Sequence, residues 1–243
     1  MARRTKQEAD ETRETLLDAA EQVFLERGVA RASLDEVARV AGCTRGAVHW
    51  HFRDKLGLFL ALDERLVLLQ DELKRRLLCD DPAGSPLRHM ERAITAAMTD
   101  LENNPRRRRL LTIMLQRCEY VAEMAPALQR RREADSQIRA KLRDHFQMAA
   151  ERGEMSDAWS PERAALFLHA LIGGFLHEWL RGDADFTLSG EVNDAVRGFL
   201  SCGVVKSALC PGGPVPAEPA SPDLAPSDQA AAAPAGAGLA ALC

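Results

Sequence analysis

The stretch SLDEVARVAGCTRGAVHWHF, residues 33–52, constrains this chain more than any other. Ser33 followed by Glu36 is the S-x-x-E pattern of a helix start, where a serine oxygen accepts the backbone amide three residues on. Leu34, Val37, Ala38 and Ala41 then make one apolar stripe over two turns. Gly42 and Cys43 break the run, Thr44 supplies an N-cap, and RGAVHWHF resumes helical spacing with Ala47, Val48 and Phe52 as inward candidates. Two short helices joined by a tight turn containing glycine form a helix-turn-helix. The adjoining string CTRGAVHWHFRDK also gathers a cysteine, two histidines and three basic side chains, which opens metal, catalytic and charge-reading alternatives.

Composition narrows the class. Only 5% of the 243 residues are aromatic, and Ala, Leu, Arg and Glu abound, which favours helices over sheets, so the expected fold is all-α. No apolar run reaches the roughly 18 residues of a membrane span, and MARRTKQEADETR carries charge where a signal peptide needs an apolar segment; a cytoplasmic location is expected. The 6 cysteines lack C-x-x-C spacing, so thiols rather than a disulfide framework are expected. A net charge of −4 argues mildly against a nucleic-acid partner, yet the basic groups cluster locally. Arg3, Arg4 and Lys6 crowd the N-terminus, and Arg39, Arg45, Arg53 and Lys55 leave residues 39–55 net positive.

Along the chain, Leu16, Ala20, Val23, Phe24 and Arg27 step helically before Gly28, a plausible terminating glycine. Asp54 can cap a long helix from Lys55 to about Leu78. Ser85-Pro86, Asn104-Pro105 and Ser160-Pro161 each set a capping side chain before a helix-initiating proline. Further helices are predicted at about 86–103, 106–119, 126–152, 161–181 and 188–206. From Pro211 the chain is rich in Pro, Gly and Ala with little to bury, which predicts a disordered tail over 211–243. The expected division is thus a helix-turn-helix head over 1–53, a helical body over 54–206 and the tail.

In a helix-turn-helix the second helix enters the major groove and its leading residues meet base edges. Here those are Thr44, Arg45, Gly46 and Ala47. Arg45 can donate twice to guanine O6 and N7, Thr44 can reach a base or phosphate, and Gly46 removes bulk that would hold the helix off the DNA. His49, His51 and Lys55 are placed for DNA-backbone contacts, Trp50 for sugar or thymine methyl or for packing on the body, and Ser33 sits at the start of the preceding helix. A solvated face is the alternative for the histidines. The metal reading fails on geometry: positions two apart on a helix point roughly 200° apart, so His49 and His51 cannot share an ion. Cys43 with one histidine gives at most two ligands, and no metal or other cofactor is expected.

At this point the residues resemble a family. SLDEVARVAGCTRGAVHWHFRDKLGLF is similar to the DNA-binding head of TetR-family repressors, and the opening 34 residues look like the subgroup that represses multidrug efflux operons. The match is dense over about the first 60 residues and weaker to about residue 206. Two positions depart from the subgroup pattern: His49 stands where a phosphate-contacting tyrosine is usual, and Cys43 where an aliphatic residue is usual. Histidine gains charge below about pH 6.5, so an added pH dependence of DNA binding is expected.

The resemblance further implies a palindromic operator, a homodimer and a hydrophobic effector. ERAALFLHALIGGFLHEWL is similar to the penultimate helix of the subgroup, which implies a dimer interface of Leu168, Leu171, Gly174, Leu176 and Trp179, with Gly173 and Gly174 permitting close approach. Met90, Ile94, Ala97, Leu111, Met114, Leu115, Cys118, Ile138 and Leu142 match effector-cavity positions, closed by His169, Ile172 and Phe175; pattern alone favours ordinary core for this stripe, and the resemblance reverses that. Effector binding is then expected to shift the helix from Lys55 and spread the two heads. Arg106–Arg109 and Arg130–Arg132 are expected as solvated faces. An enzyme is not expected, since no G-x-S-x-G, H-E-x-x-H or phosphate-cradling loop occurs. The rival reading is a redox- or metal-sensing regulator of the same fold, acting through Cys43 or Cys118.

Overall fold

Nine α-helices hold most of the described residues, and several of their starts follow from the caps. The computed structural model describes residues 6–78 and 84–205, with no side-chain description for 67–78, 122, 202 and 203. Arg3, Arg4 and the tail predicted from Pro211 lie outside those residues. In order come α1 (Lys6–Arg27), α2 (Leu34–Val40), α3 (Arg45–Phe52), α4 (Lys55–Leu78), α5 (Pro86–Glu102), α6 (Pro105–Gln116), a 3-10 turn (Ala122–Met124), α7 (Ala125–Glu151), α8 (Pro161–Arg181), α9 (Leu188–Phe199) and a closing π-helical turn (Leu200–Val204). The all-α class is therefore as expected. The extended pairing among the described residues is the single bridge Met155–Val205.

Ser33 Oγ accepts from Glu36 N at 3.1 Å, Thr44 Oγ1 from Ala47 N at 3.2 Å, Asn104 Oδ1 from Arg107 N at 3.1 Å and Ser160 Oγ from Arg163 N at 3.3 Å. Each satisfies one of the orphan amides of a helix start. Ser85 differs from its expected capping role: its hydroxyl donates to Glu154 Oε2 at 2.7 Å, which ties α5 to the segment after α7. Asp54 Oδ1 accepts from Gly57 N at 2.7 Å, as expected of the α4 cap. This turn also explains Gly57, where a Cβ would lie 2.2 Å from the Phe52 carbonyl oxygen.

Two predicted ends move. α6 stops at Gln116 because the Met114 carbonyl is taken by Tyr120 Oη at 2.7 Å and Arg131 Nη1 at 3.3 Å, and the chain folds back. α9 gives way at Leu200 to the π turn, after which Val205 pairs with Met155 and Ser156 N donates to Val204 O at 2.7 Å.

The head core joins Leu16, Leu17, Val23 and Phe24 of α1, Val37 of α2, Val48 and Phe52 of α3, and Leu58 and Phe59 of α4, all buried. Each such side chain contributes on the order of 1.5–3 kcal/mol on burial. Arg27, predicted on that apolar stripe, is exposed and pairs with Glu36 at 3.4 Å. In the body α5 is the central helix, packing on α4, α7 and α9 through buried Met90, Ile94, Ala97 and Leu101.

Head and body are clasped by charge. Glu21 of α1, only 6% exposed at its side chain, receives Arg109 Nε at 2.8 Å and Arg106 Nε at 3.2 Å from α6. Arg106 also reaches Asp18, and Arg65 of α4 holds Glu14 and Asp18. Arg108 lies 4.2 Å over the Trp179 ring. Hence Arg106 and Arg109 are not simply solvated; the acidic stripe of α1, four and three residues apart, is their counterpart. Val29 N completes the join by donating to Arg117 O at 2.8 Å.

Candidate functional site

Helix α3 stands out from the head with Thr44, Arg45, Gly46, His49 and Trp50 exposed, Ala47 and His51 half-buried, and Val48 and Phe52 holding it to the core. Trp50 is 73% exposed, so it presents to solvent rather than packing on the body, and His51 stacks edge-on against it at 4.4 Å. A Cβ at Gly46 would meet no atom closer than Thr44 Oγ1 at 3.8 Å, so the fold itself makes no demand for glycine there. Ser33 and Lys6 are exposed at the starts of α2 and α1.

Two basic positions differ from expectation. The Lys55 ammonium turns inward and donates to Val29 O at 3.2 Å, Ala30 O at 3.1 Å and Ala32 O at 3.2 Å, with Glu123 Oε1 3.6 Å away. Its three N–H donors are thus spent on the α1–α2 loop, which corrects its assignment to the DNA backbone. His49 is also committed within α3: Nε2 accepts from Arg45 Nε at 3.3 Å and Nδ1 lies 2.8 Å from Arg53 O. Neither ring nitrogen is left for a phosphate.

In the body a cavity of about 300 Å³ opens between α4, α5, α6, α7 and α8. Ile94, Ala97, Leu111, Met114, Leu115, Ile138, Leu142, His169 and Ile172 line it, which brings together nine of the predicted effector positions. Three fall elsewhere. Met90 is buried core, Cys118 sits beside the cavity, and Phe175 stacks edge-on against Phe186 at 6.2 Å. Sequence reasoning missed one wall of the cavity: Phe59, Asp63 and Leu66 of α4, and Ala127, Arg130, Arg131, Ala134 and Asp135 of α7. Their signal was available, since stepping back from Ile138 and Leu142 by three or four residues reaches each of the α7 positions.

That wall is polar. Arg130 Nε lies 3.0 Å from Asp63 Oδ2 and its Nη1 3.8 Å from Glu64. Burial pushes the Asp63 carboxyl above the usual carboxylate range, outweighing the opposing Arg130 charge. Burial likewise lowers His169, with Asp135 opposing and Arg139 reinforcing. So Arg130 and Arg131, expected on a solvated face, line the cavity while staying partly exposed. Cys118 is pushed up to about 11 by burial, against the pull of Arg131, which keeps its thiol protonated and unreactive. Cys43 donates weakly to Ala41 O at 3.5 Å.

The predicted dimer residues differ in exposure. Leu168 and Trp179 are buried within the chain, Leu176 and Leu171 are half-buried with Leu176 at the cavity, and Gly174 is exposed. The exposed apolar side chains of α8 are Leu166 and Phe167, each 50% exposed, alongside exposed Ala170 and Gly174.

A helix-turn-helix head clasped to a helical body that encloses an apolar cavity is the architecture of a DNA-binding regulator under small-molecule control. Residues 16–62 match the family model of bacterial regulatory proteins of the tetR family, and residues 85–203 that of the C-terminal region of MAATS-type transcriptional repressors. The chain belongs to the TetR family of transcriptional regulators. It is 46% identical over 186 residues, 76% of this chain and 88% of the relative, to the HTH-type transcriptional repressor BepR of Brucella suis biovar 1 (strain 1330). It is 34% identical over 211 residues, 87% and 96% of the two chains, to the regulator AcrR of Shigella flexneri. Among solved structures it resembles NalD, the secondary repressor of the MexAB-OprM multidrug efflux pump in Pseudomonas aeruginosa, with a TM-score of 0.73 at 33% identity, covering 83% of this chain and 99% of that one. The SmeT–triclosan complex matches with a TM-score of 0.69 at 29% identity, covering 85% and 99%. Among the described residues no helix is long and apolar enough to cross a membrane.

Proposed function

We propose that this protein is a dimeric repressor that binds a palindromic operator, controls a multidrug efflux operon and is released from DNA by hydrophobic small molecules. The observation that carries this reading is the shared wall of cavity and clasp. Leu111, Met114 and Leu115 line the cavity from the same α6 whose Arg106 and Arg109 hold α1 of the head, and Phe59 and Asp63 line it from α4. A ligand that reshapes α4 or α6 must therefore carry strain to the head, and it lowers operator affinity by its preference for the shifted state. A cavity of about 300 Å³ suits a compact ligand, and its walls call for an amphipath with one polar end near Asp63 and Arg130.

Thr44, Arg45, Gly46 and Ala47 lead α3 into the major groove, supported by the open space over Gly46. Arg3, Arg4 and Lys6 add phosphate contacts from the N-terminus. The dimer forms through α8, where Leu166 and Phe167 are too apolar to face water and nothing within 4 Å would meet a Cβ at Gly173 or Gly174. NalD, a repressor of a multidrug efflux pump, and SmeT, solved in complex with triclosan, support the efflux and effector parts of this reading.

The test is footprinting on the DNA flanking the gene of this protein, repeated with a panel of hydrophobic antibiotics and dyes. A symmetric footprint lost on adding at least one compound is expected; protection that no compound relieves would refute effector release.

A further inference from the structure

Arg45, the residue best suited to read a guanine, is not free in the absence of DNA. Its Nε donates to His49 Nε2 at 3.3 Å, and Asp35 Oδ2 of α2 lies 3.2 Å from its Nη1. An arginine Nε always carries hydrogen and never accepts, so His49 Nε2 must be the bare, accepting nitrogen. The neutral ring then has its proton on Nδ1, which lies 2.8 Å from the carbonyl of Arg53 and donates to it. Arg53 is the C-cap of α3 and takes a left-handed backbone with φ 63°, a conformation non-glycine residues adopt rarely. A hydrogen-bonded line thus runs from the backbone at the end of α3, through the imidazole, to the guanidinium at its start. Residues 45, 49 and 53 share one helix face, because four-residue steps bring side chains into register.

We propose that His49 is a positioning and specificity-determining residue: it holds Arg45 by its Nε edge so that the Nη1–Nη2 edge is presented to guanine O6 and N7. This rests on the operator-binding reading above. Recognition by a guanidinium requires two parallel N–H groups in one plane, and an arginine with four free torsions loses entropy on adopting that plane. With Nε tied to a ring that is itself tied to the backbone, most of that entropy is lost on folding rather than on binding. Asp35 limits the remaining swing of the Nη groups and yields to the base when DNA arrives. Tyrosine in place of His49 would offer one hydroxyl and could not join Arg45 Nε to Arg53 O in the same two-ended way. The departure from the family pattern therefore has a job distinct from gripping phosphate.

Selection of binding sites from a random duplex pool tests this, using the full chain as wild type, His49→Phe, His49→Gln and Arg45→Ala. Wild type enriches a half-site with a guanine whose preference disappears in Arg45→Ala. His49→Phe keeps the ring but has no acceptor, and should reduce discrimination at that one base pair about tenfold, within the range of a lost bidentate contact. His49→Gln, whose Oε1 accepts from Nε, should retain it. In the Arg45→Ala background His49→Phe should change nothing further at that pair. Full discrimination by His49→Phe on the enriched operator overturns the proposal while leaving operator binding intact. A uniform loss across all sequences, with the salt slope lowered by about one, also overturns it and assigns His49 to a phosphate. Wild type that enriches no sequence overturns the operator reading and this proposal together.

Discussion

Lys55 offers the sharpest separation between a structural and a DNA-binding role, and Lys55→Met is the perturbation, since it keeps the apolar stem and deletes the ammonium. Three carbonyl contacts of 3.1–3.2 Å are lost at a side chain only 20% exposed. A hydrogen bond to a charged group is worth about 1.5–3 kcal/mol, but the three share one cation and water re-solvates part of the loop, so the loss should be about 2–4 kcal/mol. For a chain of this size that corresponds to a fall in Tm of roughly 5–15 °C. The Glu123 contact at 3.6 Å adds little, because that carboxylate is 63% exposed. Thermal melting measures the first quantity, and operator affinity between 50 and 200 mM salt the second. An inward lysine leaves the slope of log K against log salt unchanged; a phosphate contact removed would lower it by about one. An unchanged Tm with a lower slope would refute the assignment of Lys55 to the α1–α2 loop.

Glu21→Gln removes the buried charge that Arg106 and Arg109 share; because both guanidiniums are about half-exposed, the cost in stability should be about 1–2 kcal/mol, while the effector-induced change in operator affinity shrinks. Full effector response in that variant, read by fluorescence anisotropy, would exclude the α6 clasp from signalling. Phe167→Glu, on the outer face of α8, should convert the dimer to a monomer in sedimentation at micromolar concentration and weaken operator binding at least tenfold. His169 has a pKa lowered from 6.5 chiefly by burial, so the unfolded chain takes up the proton first and stability falls as pH drops below 6.5, levelling out below the folded value. His169→Leu should flatten that part of the Tm–pH curve; an identical curve would contradict the burial. Cys118, held near 11, should react with iodoacetamide at pH 8 far more slowly than an exposed thiol, and fast labelling in the folded protein would revive a thiol-sensing reading.

Local chemistry is what the sequence by itself determined. Ser33, Thr44, Asn104 and Ser160 start their helices because a short polar side chain next to an amide acts within four residues, and Gly28 ends α1 at φ 79° for the same local reason. The helix-turn-helix and its leading residues were legible because Val48 and Phe52 had to point inward, which turns Arg45 and His49 outward. Part of the cavity was legible too, because the family resemblance singled out the apolar stripes of α5 and α6. Partnerships across long sequence separations were not. Lys55 looks like a DNA-facing cation until Val29, Ala30 and Ala32 bring their carbonyls to it. Arg106 and Arg109 look solvated until α1 delivers Glu21, 88 residues from Arg109. Leu168 and Trp179 look like interface until α8 packs them into the body. A charge or an apolar face has no intrinsic partner, and only tertiary packing, which decides what is desolvated and what stands within 4 Å, assigns one.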